Sequence, residues 1–332
     1  MLVQIIARCE RMNGALQQAL MLARAFAGLA IKVRLVNLHP QTHPCVPQAL
    51  QNDQVEFVES SPDSPPQADL SIVVGLWDTA SAEIAARLIR DGSRVVLAPT
   101  TYWHRNLLPE CANRAEALWY VSWDQAAHSK PYWSLANRVE VVRCAVDLNR
   151  FRPSERMPTG RPWVLCRHSC DTPAKFGSDV MPIIKRISDT HNVMFKMLGA
   201  SQVLGHLENG RVSTLQQEAV DPALFLQTGD IWVYAHASDW RETACIAMLE
   251  AMACGLPVVV NNTGGMREYL VHGKTGFACN NTDEFVEFTR LLLDHPTLFV
   301  SVAREARNFA QQYHSLDSLK RRLKEFLNQT HI

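Results

Sequence analysis

The sequence predicts an α/β protein made of two doubly wound, parallel-sheet domains. Three observations carry that expectation. The chain has 332 residues, too many for one typical domain and enough for two. Short β-branched runs alternate with longer helical patterns along most of its length, and strand, helix, strand in series makes a parallel sheet covered on both faces. The stretch "DLNRFRPSERMPTGRP", starting at Asp147, breaks that alternation with three prolines and no apolar period, as a linker does.

Taken in order, "VQIIAR" is a strand and "GALQQALMLARAFAGL" an Ala/Leu-rich helix. "IKVRLVNL", "VEFV" and "LSIVVGLW" are strands, and the helix "DTASAEIAARLIRDG" separates the last of these from the strand "RVVLAPT". "ALWYVSWD" and "RVEVVRCAV" close the first half. After the linker the alternation restarts with the strand "WVLCRHS", the helix "GSDVMPIIKRISDT" and the strand "VMFKMLG". The strand "DIWVYAHAS" follows, then a helix starting near Thr243 or Ala244, then the strands "PVVVNN" and "GFACN". The helices "TDEFVEFTRLLLDH", "TLFVSVAREARNFAQQYH" and "LDSLKRRLKEFL" end the chain. The halves share this pattern but no close sequence repeat.

Composition narrows the function classes. Lys plus Arg equals Asp plus Glu, 33 against 33, so there is no basic excess of the kind a nucleic-acid partner selects. The nine cysteines form no C-x-x-C pair and several lie in apolar runs, which suggests a reducing compartment without a disulfide framework. Cys166, His168 and Cys170 fit no common zinc spacing. The first residues, "MLVQIIARCERMNG", are charged too early for a signal peptide, and no run approaches the roughly 18 apolar residues of a membrane span. These features predict a cytoplasmic protein, free or peripheral on the inner face of the membrane.

The stretch "RETACIAMLEAMACGLPVVV" holds two carboxylates, Glu242 and Glu250, at the edge of an apolar helix that runs into an apolar strand. With the helix starting near Ala244, eight steps at roughly 100° place the two about 80° apart on one broad face. The first-turn amides of Ala244, Cys245 and Ile246 have no partner within such a helix and suit a phosphate or a sugar hydroxyl. Two carboxylates flanking free amides match the order of groups in a nucleotide sugar: pyranose, diphosphate, ribose. The plainer alternative is a helix-terminal Glu favoured by the dipole and a second Glu at the rim.

The run "DIWVYAHASDWRETACIAMLEAMACGLPVVVNNTGGMREYLVHGKTGF" resembles the donor-binding segment of the retaining glycosyltransferases of family 4. "VEVVRCAVDLNRFRP" resembles that family's inter-domain connection, and "CRHSCDTPAKFG" its Arg-plus-Lys donor loop. The resemblance covers most of residues 139 to 285; earlier residues match in pattern only. It implies the GT-B fold, two Rossmann-like domains facing across a cleft. Residues 1–147 would be the acceptor-side domain, 148–162 the linker, and 163–310 the nucleotide-sugar donor domain. Residues 311–332 would be a last helix crossing back to the first domain.

The resemblance further implies a retaining hexosyltransferase that takes a nucleoside-diphosphate sugar and a glycan, lipid-linked or small-molecule acceptor. Glu250 would hold the donor ribose, and Glu242 the transferred sugar. Ala244 to Ile246 would meet sugar and distal phosphate, and Arg167 and Lys175 would clamp the diphosphate. That cationic pair makes independent sense, because the leaving group departs with negative charge. Asn13, Gly14, Gly264 and Gly265 match loops that approach the donor. His104, Trp103 and His236 are candidate sugar or acceptor contacts at strand ends. The chain has no Asp-x-Asp, so neither metal nor other cofactor is expected. Two departures stand out: Cys245 occupies a position usually glycine, and Ala244 replaces a common aromatic. They leave room for other readings: an inactive binding subunit, or a nucleotide-sugar epimerase or phosphorylase on the same fold.

Overall fold

A computed structural model describes the chain apart from residues 45, 47–49, 51–52, 61–65, 77–78, 103–108, 131–135, 155–161, 206–210 and 331–332. It divides into two compact units, Met1–Ala145 with Leu316–Ile332, and Val146–Ser315.

In the first unit β1 (Leu2–Ala7), β2 (Lys32–Asn37), β3 (Val55–Glu59), β4 (Leu70–Gly75), β5 (Val95–Pro99), β6 (Ala117–Tyr120) and β7 (Val139–Val141) form one sheet. Their order is β3-β2-β1-β4-β5-β6-β7, and every pairing is parallel. β4 is buried along its whole length, as a central strand covered on both faces must be. The helix α1 (Gly14–Ala27) opens with Asn13 as its cap, whose Oδ1 accepts from Leu16 N at 3.0 Å. Its Leu16, Ala19, Ala23 and Phe26 face the sheet. The remaining described helices before the crossover are α2 (Thr79–Arg90), α3 (Pro109–Arg114) and α4 (Trp123–His128). The sequence pattern runs a strand through Asp124, but the strand stops at Tyr120. Ser122 turns the chain, its Oγ accepting from Gln125 N at 3.1 Å to cap α4.

The second unit holds β8 (Trp163–His168), β9 (Val193–Leu198), β10 (Val212–Leu215), β11 (Ile231–Tyr234), β12 (Val258–Asn261) and β13 (Gly276–Cys279). Their order is β10-β9-β8-β11-β12-β13, again all parallel. Helices α5 (Val180–Ser188), α6 (Ser201–Leu204), α7 (Pro222–Leu226), α8 (Ile246–Ala253), α9 (Thr282–Asp294) and α10 (Pro296–Tyr313) accompany it, and α11 (Leu316–Thr330) returns to the first unit. The pattern passed over β10, α6 and α7, which are only four or five residues long. Both sheets show the doubly wound strand order. Each therefore reverses direction beside its first strand, at β1/β4 and at β8/β11, where such folds receive ligands at the carboxyl ends of the strands. Residues 155–161 of the expected linker lie outside the described residues.

Candidate active site

The carboxyl ends of β8 and β11 gather the charged residues that the sequence singled out in the second half. Arg167 is the penultimate residue of β8 and is buried. Its Nη1 donates to Ala235 O at 3.1 Å, and its Nη2 to Lys175 O at 2.8 Å. The guanidinium lies over the rings of Phe176 and Tyr234, at 4.1 and 4.6 Å from their centroids. Burial pulls its pKa down to about 10, against the Tyr234, Cys245 and Glu242 side chains that favour the charge. Arg167 thus ties the loop carrying Lys175 to the strand end beyond β11.

Lys175 reaches back from that loop. Its Nζ donates to Glu242 Oε1 at 2.9 Å, and the phenol of Tyr234 donates to the same oxygen at 2.6 Å. Burial alone would raise the Glu242 carboxyl, but Lys175 and Tyr234 outweigh it and hold the group below the usual carboxylate range. The same carboxylate raises the Lys175 ammonium above its ordinary value despite its own burial. Burial, reinforced by Glu242, pushes the Tyr234 phenol up.

Helix α8 begins two residues later than the sequence suggested. Cys245 is its cap, with φ −103° and ψ 93°, and the first helical bond runs from Leu249 N to Cys245 O at 3.2 Å. Thr243 and Ala244 stay outside the helix, and the Glu242 carbonyl is taken by Gly265 N, at 2.8 Å, from the loop after β12. The amides without a backbone carbonyl in the first turn are therefore those of Ile246, Ala247 and Met248, the last of which meets the Cys245 thiol. Ala244 and Cys245 form the approach to the helix rather than its first turn. The backbone angles of Cys245 require no glycine, and burial raises its thiol to about 12.

Glu250 lies one turn deeper and is almost wholly buried, at 3% exposure. Its Oε2 meets His168 Nε2 at 2.7 Å, and Trp232 Nε1 donates to the other ring nitrogen of His168 at 3.1 Å. Oε1 of Glu250 has no partner among the described residues.

Several buried polar atoms in this region lack partners among the described residues: Arg167 Nε, His236 Nε2 and Thr263 Oγ1. His236 is 5% exposed; its Nδ1 sits 2.8 Å from Ala237 O, which can only accept, so Nε2 presents a bare lone pair. Burial lowers the His236 pKa and keeps the ring neutral. Trp240 packs near Lys175, whose Nζ is 5.7 Å from its ring centroid. Gly264, at φ +62°, lets the loop after β12 run against Glu242, and a Cβ there would collide with the Glu242 carbonyl. Each of the unpartnered atoms is open to a bond from a ligand or from water.

The structure thus brings together Arg167, Lys175, His236, Glu242, Gly264, Gly265 and the start of α8, with Glu250 beneath them. Asn13 and Gly14 belong to the first unit, where they start α1 at that sheet's own reversal point. Trp103 and His104 lie outside the described residues. Sequence reasoning missed Trp232, Tyr234 and His168, which grip the two glutamates. The signal was present: Trp232 and Tyr234 alternate in "IWVY", so a strand places both on one face, and their rings stack at 5.2 Å. Among the described residues no group of three His, Cys, Asp or Glu side chains is placed to hold a metal ion, and no helix is long and apolar enough to cross a membrane.

Residues 200–325 match the family model "Glycosyl transferases group 1". The chain is 27% identical over 127 residues to an uncharacterized glycosyltransferase of Haemophilus influenzae, covering 36% of this chain and 35% of that one. It is 23% identical over 222 residues to the D-inositol 3-phosphate glycosyltransferase of Rhodococcus opacus, covering 57% and 48% respectively. The chain therefore spans about a third to half of the length of these curated relatives. The crystal structure of HepE of Anabaena in complex with UDP and glucose superimposes with a TM-score of 0.79 at 15% identity, over 98% of this chain and 99% of that one. The fold is that of the GT-B glycosyltransferases, with two Rossmann-like parallel-sheet domains.

Proposed function

We propose that this protein, whose second unit carries most of the match to the glycosyl transferases of group 1, is a retaining glycosyltransferase. It moves a hexose-type sugar from a nucleoside-diphosphate sugar to a glycan, lipid-linked or small-molecule acceptor, without a metal ion. The observation that carries this reading is the convergence at the β8/β11 reversal of Lys175, Glu242, the open amides of α8 and the unpartnered His236 Nε2. A sugar phosphate needs all four kinds of group at once.

In this reading the diphosphate displaces Glu242 from Lys175. The ammonium then neutralises charge as the glycosidic bond to phosphate breaks, and the amides of Ile246, Ala247 and Met248 add the positive end of the helix dipole. Arg167 contributes its charge from behind, through a guanidinium already fixed by two carbonyls. Glu242, released from Lys175 but still gripped by Tyr234, accepts from sugar hydroxyls and steadies positive charge at the anomeric carbon. The lone pair of His236 takes another hydroxyl, and the free oxygen of Glu250 accepts from the ribose. Cationic side chains and helix amides stand where other transferases use a divalent ion. Retention follows when the leaving phosphate oxygen takes the acceptor's proton on the face it departs from, so no side chain serves as base.

The test is thermal unfolding with UDP, GDP, ADP and their sugars, in EDTA, on the wild type and on Glu250→Ala. A ligand at a hundred times its Kd adds about 2.7 kcal/mol of stability. The expected outcome is a shift with one nucleotide family that the variant loses. The absence of any shift would favour a glycosyltransferase-like binding subunit instead. NMR of the product's anomeric signal then decides retention.

A further inference from the structure

The contact between His168 and Glu250 lies beside the ligand groups rather than among them. Glu250 is the deeper of the two glutamates, and an unrestrained carboxylate there could rotate either oxygen toward α8 or toward the strands. One side chain stops it. His168 ends β8, and its Nε2 lies 2.7 Å from Glu250 Oε2. Trp232 follows Ile231 in the neighbouring strand β11, directly opposite Cys166 in the parallel register. Cys166 and His168 are two apart on β8, so His168 and Trp232 share the same face of the sheet.

The hydrogen-bond directions are determined by chemistry. An indole N–H can only donate, so His168 Nδ1 must accept from Trp232 Nε1, at 3.1 Å. The ring hydrogen then sits on Nε2 and is given to Glu250 Oε2. Both His168 and Glu250 are buried, and Trp232 has no exposure at all, so water does not compete for these bonds. The chain of donation Trp232 to His168 to Glu250 occupies one carboxylate oxygen and leaves Oε1 without a partner among the described residues. Tyr234, stacked on Trp232, donates in turn to Glu242 Oε1. Two adjacent aromatic residues on one strand face therefore anchor the two carboxylates eight positions apart on the segment above them.

We propose that His168, its tautomer set by Trp232, is a positioning residue that aims Glu250 Oε1 at the vicinal hydroxyls of the ribose of a nucleoside diphosphate. This rests on the donor-site reading of Glu250 above. A carboxylate aimed in this way accepts from a hydroxyl pair more strongly than one free to turn, so its signature is discrimination by the ribose hydroxyls and not affinity in general.

The experiment is isothermal titration of the wild type with whichever of UDP, GDP and ADP binds, and with its 2′,3′-dideoxy analogue. Hydrogen bonds to a charged group predict that the ribose form binds about ten- to a hundredfold more tightly. His168→Phe should bring that ratio close to one while leaving the dideoxy analogue's affinity within about twofold. His168→Gln, whose amide can still donate to Oε2, should restore most of the ratio. Glu250→Gln should lose it, and adding His168→Phe to Glu250→Gln should cost nothing further, as expected for residues acting as one unit. A His168→Phe protein that keeps the full ratio overturns the proposal and leaves the donor site standing. So does a wild type that binds both nucleotides equally. If none of the three nucleotides binds the wild type, it is the donor-site reading that falls, and this inference with it. Should His168→Phe fail to fold, Trp232→Phe removes the indole N–H that sets the His168 tautomer, and a fall in the ratio is read there.

Discussion

Glu242 sits between a cation and a phenol, and that placement decides how the site responds to pH. Its folded carboxyl lies below the usual 4.5, because Lys175 and Tyr234 outweigh burial. The stability it contributes is therefore present above its unfolded value and is lost as pH falls through the folded value. Lys175 has the opposite sign. Its ammonium is raised above 10.5, so its contribution is complete below that value and is lost only as pH rises through the folded one. The pair is intact across neutrality. His236 bends the profile near physiological pH. Its folded pKa lies below 6.5 through burial, so the unfolded chain takes up the proton first and stability declines as pH falls from 6.5 toward the folded value. Urea unfolding between pH 8 and pH 5 should show that decline in the wild type, and His236→Gln should flatten it. An unchanged slope in the variant would mean that another group is responsible. The charged members of this site were legible in the sequence because carboxylates and cations stand out in apolar runs. The aromatic residues holding them were not, because Trp232 and Tyr234 look like any buried strand pair until β8 and α8 are placed beside them.

At the scale of elements, the site depends on where α8 begins. An apolar run alone does not locate the first turn, which is why the sequence pattern started the helix two residues early. What delays it is a tertiary bond, Gly265 N to Glu242 O at 2.8 Å, made by the loop that carries Gly264 and Gly265. Gly264 makes that bond possible by adopting φ +62° directly against the Glu242 backbone. Gly264→Ala would place a β-carbon in a strained region and against a carbonyl at the same time. The expected cost is about 1–3 kcal/mol, read as a lower urea midpoint. Nucleotide-induced stabilisation should fall by more than this loss alone explains, because the amides of Ile246, Ala247 and Met248 shift with the Glu242 segment. A variant that is destabilised but binds nucleotide with wild-type affinity would show that the loop supports the fold and not the site. The strands were more legible than the helix start because their signal is local: β11 and β12 bury near-continuous apolar runs, β8 buries five successive residues, and β9 alternates buried with half-buried positions before a buried end.

At the scale of the whole molecule, the chain gives its last helix to its first unit. Helix α11 buries Leu319, Leu323, Phe326 and Leu327 in the same core as β1, α1 and β4. Phe326 meets Trp119 edge-on with ring centroids 4.8 Å apart, and its ring also carries the Arg138 guanidinium at 4.8 Å. Arg322 Nη2 donates to Glu140 Oε2 at 2.8 Å, and Arg94 Nη2 to Thr330 O at 3.0 Å, so strands β5 to β7 are tied to the helix along its length. The basic run "KRRLKEF" thus has Arg322 engaged inside the unit. The core of Val146–Ser315 is separate and contains none of these residues. Leu323→Ala should therefore cost about 2–5 kcal/mol, and the cost should fall on one unit. Amide exchange is the measurement that resolves it. Protection should drop in β1, β4 and β6 and hold in β8, β11 and β12, with the nucleotide-induced shift of the second unit preserved. An equal loss in both sheets would mean that the units unfold as one cooperative body. The last helix would then govern the stability of the donor site as well as that of the sheet it covers.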